Sequence, residues 1–123
     1  MPSDKRENAR IERRLVATLT DACETAKAEI DGFEWLTHEA NPEAFERTLQ
    51  VIWVFDTQAG KERALSRGQD ARMRELTVAA LEDAGVSLNQ PERRVHFDSE
   101  EECNLRHGGD WRVRLNRFRT ARG

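Results

Sequence analysis

The stretch Thr48–Asp56, TLQVIWVFD, decides the fold. In an extended chain Leu49, Val51, Trp53 and Phe55 alternate onto one face, while Ile52 and Val54 share the opposite face with Gln50. Neither face reads as solvated, so the spacing predicts a central strand covered on both sides. Upstream, Phe33 to His38 alternates as a shorter strand, with Phe33 and Trp35 on one side and Leu36 on the other, before a turn region at Asn41-Pro42. Downstream, Arg93 to Phe97 reads as a third strand with Val95 and Phe97 on its buried side.

Helical spacing fills the intervals. Ile11, Leu15, Leu19, Cys23 and Ala26 recur every three or four positions, broadened by Val16, Ala22 and Ile30, with Ser3 or Asp4 as the cap and Gly32 as the stop. Met73, Leu76, Ala80, Leu81 and Ala84 define a second amphipathic helix from Gln69 to Gly85. The polar run from Gln58 to Gly68 reads as a loop or a broken first helical turn. The expected fold is therefore α+β, one domain over 1–123 in the order α-β-β-α-β. It has a three-stranded mixed sheet, two long helices on one face and a short C-terminal helical segment, with 116–123 a basic tail that either binds an anionic partner or is disordered and solvated.

The short link between the first two strands makes them antiparallel, and the helical crossover makes the second and third parallel. Asp56 and Asp98 then emerge at one sheet edge, where two carboxylates could hold magnesium; turn and capping chemistry accounts for both acids without it. The sheet's second face, with Leu36, Ile52 and Val54 and with His38 and His96 by alternation, needs a cover. Either the C-terminal segment or a second copy of the chain, as a homodimer, is expected there.

Composition narrows the function. The longest strongly apolar run is Val51 to Phe55 and the charged start MPSDKREN precedes no apolar segment, so neither a signal peptide nor a membrane span is expected. The two cysteines, Cys23 and Cys103, lie far apart, which suits a reduced, cytoplasmic protein better than a disulfide scaffold. A net charge of −3 argues against wholesale coating of nucleic acid. Its distribution argues otherwise locally, because six arginines follow Cys103 against one acid, Asp110. Arg112, Arg114, Arg117 and Arg119, with Trp111 as a stacking group, are the candidate nucleic-acid-binding residues.

The chemically densest segment is Val95–Trp111, VHFDSEEECNLRHGGDW. Ser99 and Glu102 have capping-box spacing, which predicts a helix, and that helix would carry Cys103 and His107 on one face. A thiol beside an imidazole, with Asp98 nearby, is the weak candidate catalytic set; the pair could also share zinc. The set is incomplete for a metal, and Glu100, Glu101 and Glu102 would raise the thiol pKa. No cofactor is implied and no metal site is assigned. Cys23, on the apolar face of its helix, reads as a core residue. Gly108-Gly109 reads as a helix stop rather than a phosphate loop, and after it Trp111 to Phe118 fits helix and strand equally.

FEWLTH at Phe33–His38, VIWVFDT at Val51–Thr57 and, above all, VHFDSEEEC followed by HGGDW resemble a family of small, largely uncharacterised bacterial proteins often labelled Fis-family transcriptional regulators. The resemblance spans Phe33 to Leu115. It implies DNA binding through a helix-turn-helix near the C-terminus, although the Gly-Gly break and strand-rich middle read as departing from the two-helix pattern of Fis proteins. It assigns no catalytic residues. The favoured function is thus a cytoplasmic binding or regulatory module, associated with nucleic acid through the arginine-rich terminus. The alternatives are a small metal- or thiol-dependent enzyme at Asp98, Cys103 and His107, and a protein–protein interaction module.

Overall fold

A computed structural model describes the backbone of residues 5–119 and the side chains of 6–118. The chain runs α1 (Lys5–Glu29), β1 (Phe33–Glu39), α2 (Phe45–Thr48), β2 (Gln50–Phe55), α3 (Gln58–Ser66), α4 (Gln69–Asp83), β3 (Val95–Ser99), α5 (Glu100–His107) and α6 (Trp111–Arg119). Short 3-10 turns at Pro42–Ala44 and Pro91–Arg94 precede α2 and β3. The sheet order is β1-β2-β3, antiparallel between β1 and β2 and parallel between β2 and β3. This is the expected α+β architecture, with β2 central. No helix among the described residues is long and apolar enough to cross a membrane.

All six residues of β2 are buried, as its two apolar faces require. Val51, Trp53 and Phe55 face the main core, which α1 supplies with Leu15, Leu19, Ala22, Ala26 and Ile30 and α4 with Met73, Ala80 and Leu81. Val16 falls off the α1 stripe and is half exposed. The two helices are also tied by polar links, Thr18 Oγ1 donating to the Ala80 carbonyl at 2.9 Å and Arg72 bridging to Glu29. Inside the core the Trp53 Nε1–H donates to Thr77 Oγ1 at 3.0 Å, and that hydroxyl donates to the Met73 carbonyl at 2.8 Å. An indole can lie fully buried there because its single donor is satisfied.

Three expectations change and one open alternative is resolved. Gln58 to Ser66 forms a helix, α3, rather than a loop, because the Thr57 side chain caps it by accepting from the Gly60 N–H at 2.9 Å. In β1 the register shifts between Phe33 and Trp35, so Phe33 pairs with Phe55 but Trp35 pairs with Val54. Such a bulge inserts one residue and exchanges the faces beyond it. Leu36 and His38 consequently lie on the inner face opposite Trp53 and Val51, and His38 hydrogen bonds Glu12 of α1, so it does not share a face with His96. Asp98 lies within β3 opposite Val54 rather than past its end, so it and the exposed Asp56 do not form a paired edge site. Finally, Trp111 begins a helix, and the basic stretch from residue 116 continues it through Arg119. The caps expected at Ser3 or Asp4, and residues 120–123 with Arg122, lie outside the described residues.

The corrected outer face carries Trp35, Ile52, Val54, His96 and Asp98. Ile52 and Val54 are wholly buried, and α6 lies over this face, with Trp111 against Trp35 and Phe118 against His96. The chain's own C-terminal helix thus occupies the place where a second copy was the other candidate.

Thr77→Val keeps the volume but strands the buried Trp53 donor, so it should cost about 1–3 kcal/mol, whereas Thr77→Ser should cost less. Chemical denaturation measures both; equal stability of parent and the valine variant would contradict the role given to this hydroxyl.

Candidate functional site

The site is the corner where β3 passes into α5 and α6. Ser99, extended at the end of β3, caps α5 by accepting from the Glu102 N–H at 3.1 Å, while its own N–H donates to Asp98 Oδ1 at 2.8 Å. The second arm of a capping box is therefore absent, and Glu102 turns instead to Arg106 at 2.8 Å. Each member of the acidic trio has its own task. Glu100 accepts from two indoles, Trp35 Nε1 at 2.6 Å on one oxygen and Trp111 Nε1 at 2.9 Å on the other. The two rings meet edge-on, 4.8 Å apart. Glu101 accepts from the Gln58 N–H at the first turn of α3 at 2.8 Å, where a carboxylate also suits the helix dipole.

Gly108 and Gly109 both take positive φ, 58° and 84°, and the Gly109 N–H donates to the Cys103 carbonyl at 3.1 Å. A side chain at Gly109 would also meet Asn104 Oδ1 at 2.9 Å. The chain can reverse here because glycine reaches this left-handed region without strain. Asp110 then caps α6, its carboxylate accepting from the N–H groups of Arg112 and Val113.

Asp98 is 1% exposed and Arg114 3%. The Arg114 guanidinium grips the carboxylate with both prongs, Nε to Oδ2 and Nη2 to Oδ1, each at 2.7 Å, and Arg117 Nη2 adds a third donor at 3.0 Å. Burial pushes the Asp98 carboxyl up, but the Arg114 fork, the Ser99 N–H and the charges of Arg114 and Arg117 outweigh it and hold the group below the usual aspartate range. Arg114 also reaches His107, Nη1 donating to Nδ1 at 3.4 Å.

These contacts sort the candidate residues. Arg114 is withdrawn from the surface as the partner of Asp98, and Trp111 is half-buried with its donor committed to Glu100. Arg117 is half-exposed at its bond to Asp98, and Arg112 is exposed. The Arg119 side chain lies outside the described residues. Cys103 is fully buried, and burial raises its thiol pKa despite the lowering influence of Arg114. Cys103 and His107 thus flank the packed Asp98–Arg114 ion pair rather than an open cleft. Among the described residues no three His, Cys, Asp or Glu side chains gather as a metal's ligand set. Sequence reading missed the Asp98–Arg114 pair. Its only trace is an acid at a position whose alternation, shared with Ile52 and Val54 across the sheet, marks it as inward-facing.

No protein-family model, curated protein or solved structure matches the chain.

Asp98→Asn leaves the buried Arg114 cation uncompensated and should cost roughly 3–5 kcal/mol. Because the folded carboxyl titrates below its unfolded value near 4, its contribution is complete above about pH 4 and is lost as pH falls through the folded value. The stability gap between parent and variant, read from denaturation midpoints, should therefore be wide at neutral pH and close on acidification. A gap independent of pH would contradict the ion-pair account.

Native Cys103 should resist a thiol reagent at neutral pH and react only on unfolding. Prompt labelling of that residue in the folded protein, mapped by mass spectrometry, would contradict the packed corner.

Proposed function

We propose that this protein is a cytoplasmic nucleic-acid-binding module whose α5–turn–α6 corner docks on a duplex, with α6 entering a groove. The observation that carries this reading is the charge of α6. Its nine residues, WRVRLNRFR, include no acid, and its exposed face presents Arg112, Val113, Asn116 and the half-exposed Arg117. Exposed Arg106 of α5 adds to this surface. Eight-residue α5, a glycine turn and nine-residue α6 share the element order of a helix-turn-helix, in which the second helix reads base edges, although the Gly-Gly turn departs from the Fis pattern. Arginine and asparagine are suited to phosphates and purine edges, and an apolar Val113 to a thymine methyl.

The buried Arg114 gives this surface its rigidity, anchoring α6 so that Arg112 and Arg117 project from a fixed frame. The chain's net negative charge elsewhere disfavours non-specific coating and leaves the corner as the contact. Two free cysteines accord with a reducing cytoplasm.

The test is fluorescence anisotropy with a labelled mixed-sequence duplex. Binding should weaken steeply between about 50 and 200 mM salt. The double variant Arg106→Ala, Arg112→Ala should lower both affinity and salt slope, while Arg13→Ala on the exposed side of α1 should change neither. No binding at the lower salt, or equal loss from the α1 variant, would overturn the reading.

A further inference from the structure

We propose that the groove along the free edge of β3 is a docking site for an extended acidic segment of a partner protein, which adds beside β3 as a further strand. The proposal goes beyond nucleic-acid binding and concerns a different surface, sharing only Arg117 with it. Because the sheet order is β1-β2-β3, β3 is paired on one side only among the described residues, and alternate N–H and C=O groups of Val95–Phe97 point away from β2. That edge forms the floor of an open groove of about 580 Å³, walled by Lys61 and Leu65 of α3 and by Arg117 and Phe118 of α6. An unpaired strand edge recognises a peptide backbone through main-chain hydrogen bonds, with side-chain pockets supplying specificity.

Charge selects the peptide. Among the described residues no aspartate or glutamate lines the groove, while Lys61 of α3 and Arg117 of α6 do. The mix of cations with Leu65 and Val95 suits a strand that alternates acidic and apolar side chains. The rings argue against single-stranded nucleic acid as the occupant. Phe118 has His96 at 5.0 Å and the Arg117 guanidinium at 4.7 Å, and Phe97 has Arg74, so these aromatic groups are already engaged rather than open to bases. The opposite sheet edge differs in charge, because the hollow beside β1 is lined by Glu24 and His38 and, among the described residues, by no lysine or arginine.

The test is a titration of the isotopically labelled full chain, followed by amide NMR. The probes are a short blocked peptide alternating Glu and Val, its Lys/Val counterpart, and a single-stranded oligonucleotide. The Glu/Val peptide should shift the amides of Val95–Phe97 and slow their hydrogen exchange. Lys61→Glu, a surface change whose fold is checked by the same spectrum, should weaken it by roughly fivefold or more and improve the Lys/Val peptide. The proposal is overturned if the acidic peptide leaves those amides unmoved, if both peptides act equally, or if the oligonucleotide moves them and the peptide does not. Duplex binding by the α6 face is measured separately, so either result can fail without the other.

Discussion

One buried carboxylate organises the C-terminal third of the molecule. Asp98 sits on the outer face of the sheet beside Val54, where an ionised group without partners would be far too costly to bury. Its demand is met by Arg114 and Arg117, both carried on α6, so that helix must fold back over the sheet for β3 to be tolerated at all. The pair does more to specify the arrangement than to stabilise it, since an apolar pair of equal volume often packs at least as well. What it forbids is any arrangement of α6 that leaves Asp98 alone.

Polar side chains complete the same corner. Glu100 clasps Trp35 of β1 and Trp111 of α6, so one carboxylate joins the first strand to the last helix. Glu101 joins α5 to the start of α3. A run of three glutamates that looks like a solvated helix face is thereby used mostly as mortar between elements. With the inner face of α6 committed to these contacts, the outward face is left with arginine, asparagine and valine, and that division separates a packed side of the helix from an exposed one.

The parts readable in the sequence are those written as regular alternation. The two-sided apolarity of β2, the stripes of α1 and α4 and the Ser99 cap all follow from local spacing, and all occur in the structure. The misreadings have local causes too. The bulge after Phe33 breaks the period of two, so counting from Phe33 put Leu36 and His38 on the wrong face. The polar composition of α3 hid a helix that rests on its Thr57 cap and on packing against neighbours. Of the four arginines proposed from composition, the three with described side chains, Arg112, Arg114 and Arg117, divide by burial, because charge counting cannot tell an arginine that meets solvent from one that meets Asp98.

By itself, then, the sequence determined an α+β domain with a central, doubly covered strand and a cation-rich C-terminal segment following a glycine turn. It did so because hydrophobic periodicity and capping are properties of neighbouring residues. Tertiary structure alone decided that Asp98 meets Arg114, that two tryptophans from opposite ends of the fold share Glu100, and that α6 covers the outer face. These are contacts between residues far apart in the chain, and their partners are selected by the cost of leaving a buried charge or donor unmatched, which no local pattern records.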